Sequence, residues 1–239
     1  MNMLPNMQST IAFTANHKMP DRVYPTFYIN NAPVERVKSW PHLGNILHED
    51  QDEAVNINHR CSKMIGDIND VLCTFGKLDC VVKVDLLYKY CNSYYSSVLW
   101  KLNHPAIMRI SSAWRNALRR VWNLPCNTNT NLITALSCRL SLTDELCRRV
   151  IKFHAKCMNS SNEVIKHVCL NAISESRALS KHGCNLLHIC DTYGFCFSLF
   201  EQCDVYCNIL SNFTEVCKKR MVAVDESKLE SLHKLIMLT

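Results

Sequence analysis

A chain of 239 residues is long enough for one large domain or two small ones. With 48% of its residues apolar and 20% charged, it has the composition of a folded protein, which excludes disorder throughout, and only five glycines and seven prolines argue for long helices over many strands joined by tight turns. The formal net charge of +6 is modest and by itself says little about a nucleic-acid partner.

Residues 1–22 carry no apolar periodicity and end at Pro20-Asp21, which reads as a disordered leader. Residues 23–48 read as β structure. Thr26-Phe27-Tyr28-Ile29 runs into Asn30-Asn31, residues that tolerate the positive φ of a tight turn, and alternation resumes with Val34 and Val37. This predicts a β-hairpin. Trp40-Pro41-His42-Leu43-Gly44-Asn45-Ile46-Leu47 continues as a further short strand or turn.

From Glu49 the pattern becomes helical. Glu49, Asp50, Asp52 and Glu53 sit where a helix N-terminus favours negative charge. Val55, Ile57, Cys61, Met64, Ile65, Ile68, Val71 and Leu72 then recur at mostly helical spacing, and Gly76 is placed to end the helix. A second helix is predicted over 81–100, stopped by His104-Pro105, and a third over 106–122, stopped before Pro125. Residues 49–125 thus form one predicted helical domain, and 126–239 a C-terminal helical region that opens on a polar linker, 127–131. Ser141 and Asp144 make a capping-box variant ahead of Arg148, Arg149, Ile151 and Phe153. Another helix is predicted over 163–178; the pattern blurs beyond Gly183, and 229–238 reads as a terminal amphipathic helix. The expected fold class is mainly α with a small N-terminal β-hairpin.

Fifteen cysteines, an odd number at scattered spacings and with no Cys-x-x-Cys, do not resemble a disulfide framework, a zinc ribbon or a thioredoxin-type motif. No secretory signal peptide opens the chain and no apolar run reaches the length of a membrane span. The expectation is an intracellular protein, in cytoplasm or nucleus, whose cysteines are mostly reduced and buried as small hydrophobes. The densest run, Cys184, Cys190, Cys196, Cys203 and Cys207 with His182 and His188 nearby, is the one candidate for zinc, although knuckle spacings are tighter.

The clearest physical signal is a one-signed stretch. Between Asp85 and Asp144 there is no acidic residue, while Lys89, Lys101, Arg109, Arg115, Arg119, Arg120 and Arg139 all fall there. At about 100° per residue, Ile107, Ile110, Trp114, Ala117, Leu118 and Val121 share one face of the central helix and the four arginines lie mainly opposite. An apolar face would anchor such a helix and leave planar guanidiniums to meet phosphates. The bland reading is a solvated basic face. Catalytic constellations are missing: the sequence has no Gly-rich phosphate loop, nucleophile elbow or His-Glu-x-x-His. The pairs Asp67/Asp70 and Asp50/Glu53 read as ordinary helix carboxylates, not metal ligands, and the sequence implies no cofactor and no small-molecule substrate.

From Phe27 to about Gly194 the order of features resembles the C-terminal part of a LINE-type (non-LTR, jockey-like) retrotransposon reverse transcriptase. The family's Leu-Gly element has a counterpart in Val37-Lys38-Ser39-Trp40-Pro41-His42-Leu43-Gly44, followed by a helix ending in Phe75-Gly76-Lys77-Leu78. Tyr90-Cys91-Asn92-Ser93-Tyr94-Tyr95-Ser96-Ser97-Val98-Leu99-Trp100 resembles the family's Cys-x-Ser-Tyr-Gly stretch leading to Leu-Trp. The most specific piece is Ala113-Trp114-Arg115-Asn116-Ala117-Leu118-Arg119-Arg120-Val121-Trp122-Asn123-Leu124-Pro125. Arg148-Arg149-Val150-Ile151-Lys152-Phe153, with Asn159-Ser160-Ser161-Asn162 behind it, fits the downstream region.

The resemblance implies that the hairpin is the end of a palm, with Trp40, His42, Leu43 and Gly44 as a primer-grip-like element. It also implies a helical thumb-like bundle that holds RNA, DNA or their hybrid by the backbone through Lys101, Arg109, Arg115, Arg119 and Arg120. This chain departs from the family in ways that bear on activity. Such polymerases hold two metal ions with carboxylates that include an Asp-Asp pair, and the sequence contains no Asp-Asp. His42 stands where an aromatic is common and Ser96 where glycine is common, so that turn is expected to be strained. The implication is a truncated, non-catalytic fragment. The contrasting expectation is a helical interaction or scaffold protein with no nucleic-acid role.

Overall fold

The computed structural model of the chain describes residues 26–49, 52–92, 94–174, 180–201 and 206–222. The expected leader and the expected terminal helix over 229–238 lie outside them. The chain divides into two compact units, Met1–His59 and Arg60–Thr239.

The first unit contains two antiparallel β-hairpins. In one, β1 (Tyr28–Ile29) pairs with β2 (Ala32–Pro33) across Asn30-Asn31, whose φ values are +50° and +62°. Positive φ at both central residues matches the twist of the flanking strands. In the other, β3 (Ser39–His42) pairs with β4 (Asn45–His48) across Leu43-Gly44, again with positive φ at both. The expected single hairpin is therefore followed by a second. Pro41 is tolerated inside β3 because it faces Ile46 next to the hydrogen-bonded closing pair His42–Asn45, at a position whose N–H would point away from β4. The outward Ile46 N–H donates to Asn56 Oδ1 at 3.3 Å.

The rest is helical: α1 (Ala54–Thr74), α2 (Cys80–Leu86), α3 (Pro105–Val121), α4 (Thr130–Ser137), α5 (Leu142–Met158), α6 (Glu163–Ile173), α7 (Lys181–Tyr193) and α8 (Tyr206–Val222). Polar side chains set the helix starts. Asp52 accepts the Ala54 N–H, and Asp79, His104, Asn129, Ser141, Asn162 and Ser180 do the same for α2 to α7, each meeting an N–H that has no partner inside its helix. α7 ends on Gly194 at φ +76°, a left-handed stop that glycine takes without a Cβ clash. Ser141 and Asp144 do cap α5, although the Asp144 carboxylate accepts from the Ser141 hydroxyl at 2.7 Å rather than returning to the backbone.

α5 is the central helix of the second unit, packed against α3, α6, α7 and α8. It buries Leu142, Leu146, Cys147, Val150, Ile151, His154 and Met158, around which Trp100, Trp114, Phe200 and Phe213 complete the core. Three expectations need correction. The helix expected over 163–178 ends at Ile173, with Ser174 already outside helical geometry. The segment 81–100 is not one helix: α2 passes through a π-helical turn, Leu87–Cys91, stops at Asn92 and resumes only as a short 3-10 turn at Ser97–Leu99. The cause lies elsewhere in the chain. Arg149 on α5 donates to the carbonyls of Asn92 and Tyr94, both at 3.1 Å, satisfying acceptors that a continuing helix would have used itself. The polar 127–131 linker is also shorter than expected, because Asn129 caps the unanticipated α4. No disulfide joins the thirteen described cysteines; six are buried and four exposed, so the small-hydrophobe reading fits about half of them.

Candidate nucleic-acid interface

α3 starts where Pro105 fills the first helical position and the His104 ring nitrogen accepts the Ala106 N–H at 3.1 Å. Its expected apolar face is buried residue for residue: Ile107, Ile110, Trp114, Ala117, Leu118 and Val121 all lie in the core. Trp114 meets Tyr88 edge to face, with ring centroids 5.0 Å apart. Burial of this stripe fixes the rotation of the helix and hence the direction of its arginines.

Those arginines form two rows. Arg109 and Arg120, about three turns apart, are exposed on the side of α1. Arg120 Nη1 donates to Asn69 Oδ1 at 2.8 Å. Burial pushes the Cys61 thiol of α1 up, with the Arg109 charge opposing it. Arg115 and Arg119, one turn apart and half-buried, lie on the side of α4. Arg115 Nη2 donates to Ser112 Oγ at 3.0 Å; Arg119 donates to Asn116 Oδ1 and to the Thr128 carbonyl, both at 2.8 Å. Partial burial, and then the Arg119 charge, lower the Arg115 pKa from its ordinary value. A cleft of about 240 Å³ opens beside Arg115, with Ser111, Thr130, Asn131, Thr134 and the acidic Asp144 among its walls.

Every partner found among the described residues for Arg115, Arg119 and Arg120 is a neutral oxygen. Carboxylates neutralise arginines elsewhere: Asp85 holds Arg139 at 2.6 Å, and Glu145 holds Arg148 at 2.6 Å and Arg149 at 3.1 Å. Among the described residues the one-signed stretch is therefore compensated at Arg139, at its edge, and not at Arg115, Arg119 or Arg120. Lys101 is exposed in the loop that leads into α3.

Trp40 and His42 lie on β3, and Leu43 and Gly44 form its turn, where Leu43 is 75% exposed. These primer-grip-like residues fall in the first unit and the basic helix in the second. Among the described residues Cys184, Cys190 and Cys196 belong to no cluster of metal-ligating atoms, and the side chains of Cys203 and Cys207 lie outside the described residues. His182 instead meets His154 and Cys169. Spacings of 15 and 13 residues gave no sign of that grouping; only His154-x-x-Cys157 has a ligand-like interval.

No family model, no curated protein and no solved structure matches this chain.

Proposed function

We propose that this chain is a non-catalytic fragment of the LINE-type reverse transcriptase kind, binding RNA, DNA or their hybrid by the phosphate backbone through α3. One observation carries the reading: three guanidiniums on one helix, each held in place by neutral oxygens and none paired with a carboxylate among the described residues. Held side chains lose less entropy when a phosphate arrives, and planar donors suit phosphate oxygens. The ordered motifs from Val37 to Asn162 support the same reading, and the absence of an Asp-Asp pair argues that the fragment does no polymerisation.

The test is binding of a labelled RNA–DNA hybrid across a salt series, beside a variant with Arg109→Gln and Arg120→Gln. We expect wild-type affinity to fall steeply with salt and the logarithmic slope of the variant to be shallower by roughly 0.7 to 0.9 per arginine. Absence of binding by a folded, monomeric wild-type chain would overturn the proposal.

A helical scaffold is the second reading, and one observation favours it: α6 leaves Val164, Ile165 and Val168 exposed. Binding to an acidic protein with no preference for nucleic acid would select it.

A further inference from the structure

His154, on the inner face of α5, is completely buried. A buried imidazole must place both ring nitrogens. Its Nε2 lies 2.9 Å from the Phe200 carbonyl, which can only accept, so Nε2 carries the proton and Nδ1 presents its lone pair. That lone pair points to a junction of three helices. His182 Nε2, from the first turn of α7, is 2.9 Å away, and Cys169 Sγ, from α6, is 3.3 Å away. The third edge, Cys169 Sγ to His182 Nε2, is 3.9 Å.

Hydrogen bonds can serve this triangle, with His182 Nε2–H donating to His154 Nδ1 and the Cys169 thiol turned to Cys157. The same three atoms also converge on one point, where a single cation would be met by all of their lone pairs. The size is suitable. Zinc bonds of about 2.0–2.1 Å to nitrogen and 2.3 Å to sulfur give tetrahedral edges of about 3.3 Å between nitrogens and about 3.6 Å between nitrogen and sulfur. The observed edges bracket these values within about 0.4 Å, a distance that side-chain rotation covers.

We propose that His154, Cys169 and His182, completed by Cys157, bind a zinc ion that pins α6 and α7 to α5. Cys157 lies one turn beyond His154 on α5 and its thiol interacts with that of Cys169; it stands outside the group whose ligand atoms lie within 4.8 Å of one another and reaches the metal by turning inward. The surroundings are those of a structural site. The buried Phe200 ring packs edge-on to His154 at 5.7 Å, and the more exposed Phe153 ring edge-on to His182 at 5.8 Å. The Phe200 carbonyl plays the orienting part that backbone acceptors play behind metal-bound histidines. Binding displaces the Cys169 and Cys157 thiol protons to solvent and leaves thiolates on the metal.

The experiment uses the full chain purified without chelators. We expect about one zinc per chain. After removal of zinc, addition of Co²⁺ is expected to produce a thiolate-to-cobalt charge-transfer band with tetrahedral ligand-field absorption. Zinc should shield Cys157 and Cys169 from alkylation, read by mass spectrometry, while the exposed Cys126 and Cys138 react regardless. Cys157→Ala and His182→Ala should each weaken zinc binding by at least roughly a hundredfold. The alkylation map of the wild-type chain decides the matter even if a variant fails to fold. A folded chain that takes up neither zinc nor Co²⁺ would overturn the site. So would metal that survives His182→Ala but is lost when Cys184, Cys190 and Cys196 are changed to serine.

Discussion

The Asn185 side-chain amide donates to the Trp100 carbonyl at 2.7 Å, and its oxygen accepts the Leu102 N–H at 2.8 Å. Asn185 is 2% exposed, so one side chain of α7 supplies both hydrogen bonds to the buried approach to α3. Asn185→Ala would leave a buried donor and a buried acceptor unmet. We expect a loss of about 2–4 kcal/mol, measured by urea unfolding followed by circular dichroism. A change below about 1 kcal/mol would mean that the loop finds other partners.

Ser96 occupies φ +60°, ψ +11°, the left-handed region that costs a residue with a Cβ roughly 1 kcal/mol or more. This is the position where the resembling family commonly has glycine, and the strain expected there is present in the backbone. Ser96→Gly should raise stability by about 0.5–1 kcal/mol, the loss of the serine hydroxyl's bonds and the extra freedom of the unfolded chain offsetting part of the relief. Thermal unfolding of the variant checks the sign.

The two arginine rows should separate in mutagenesis. Arg119 ties the 127–131 linker to α3 through Thr128, so Arg119→Gln is expected to cost about 1–2 kcal/mol of stability. Arg120 is exposed and has a single bond to Asn69; Arg120→Gln should cost less than about 1 kcal/mol while still reducing hybrid binding. Comparing unfolding midpoints with binding isotherms distinguishes an arginine that holds the fold from one that meets the ligand.

Alkaline pH should unfold the protein. Burial is the largest influence on Tyr88, Tyr94 and Tyr193 and raises all three phenols above their ordinary value. The unfolded chain loses these protons above about pH 10 while the folded chain keeps them, so stability is complete below that pH and falls as pH rises beyond it. Tyr94 donates only to the Met64 sulfur, a weak acceptor, at 3.0 Å. Tyr94→Phe should therefore change little at neutral pH and make the alkaline decline shallower, as followed by denaturant midpoints across a pH series.

Features governed by local periodicity were legible in the residues. The buried face of α3 follows from a 3.6-residue repeat, and the Asn30-Asn31 turn from residues that accept positive φ. Features governed by distant partners were not. The interruption at Asn92 depends on Arg149, and α4 on a tertiary context that local polarity concealed. The division of the arginines into two rows required knowing that α1 and α4 flank α3. The junction of His154, Cys169 and His182 draws on three helices, and no interval along the chain announces it.

Several fastenings of the second unit join residues far apart in the chain: Arg149 to Asn92 across 57 positions, Tyr88 to Leu140 across 52, and Asn185 to Trp100 across 85. A chain emerging from the ribosome N-terminus first makes α2 and the approach to α3 well before the residues that secure them. Until α5 and α7 have been synthesised, Trp100 and Trp114 have only part of their native cover. During synthesis the N-terminal half of the second unit thus keeps part of its apolar surface open until the C-terminal helices arrive to cover it.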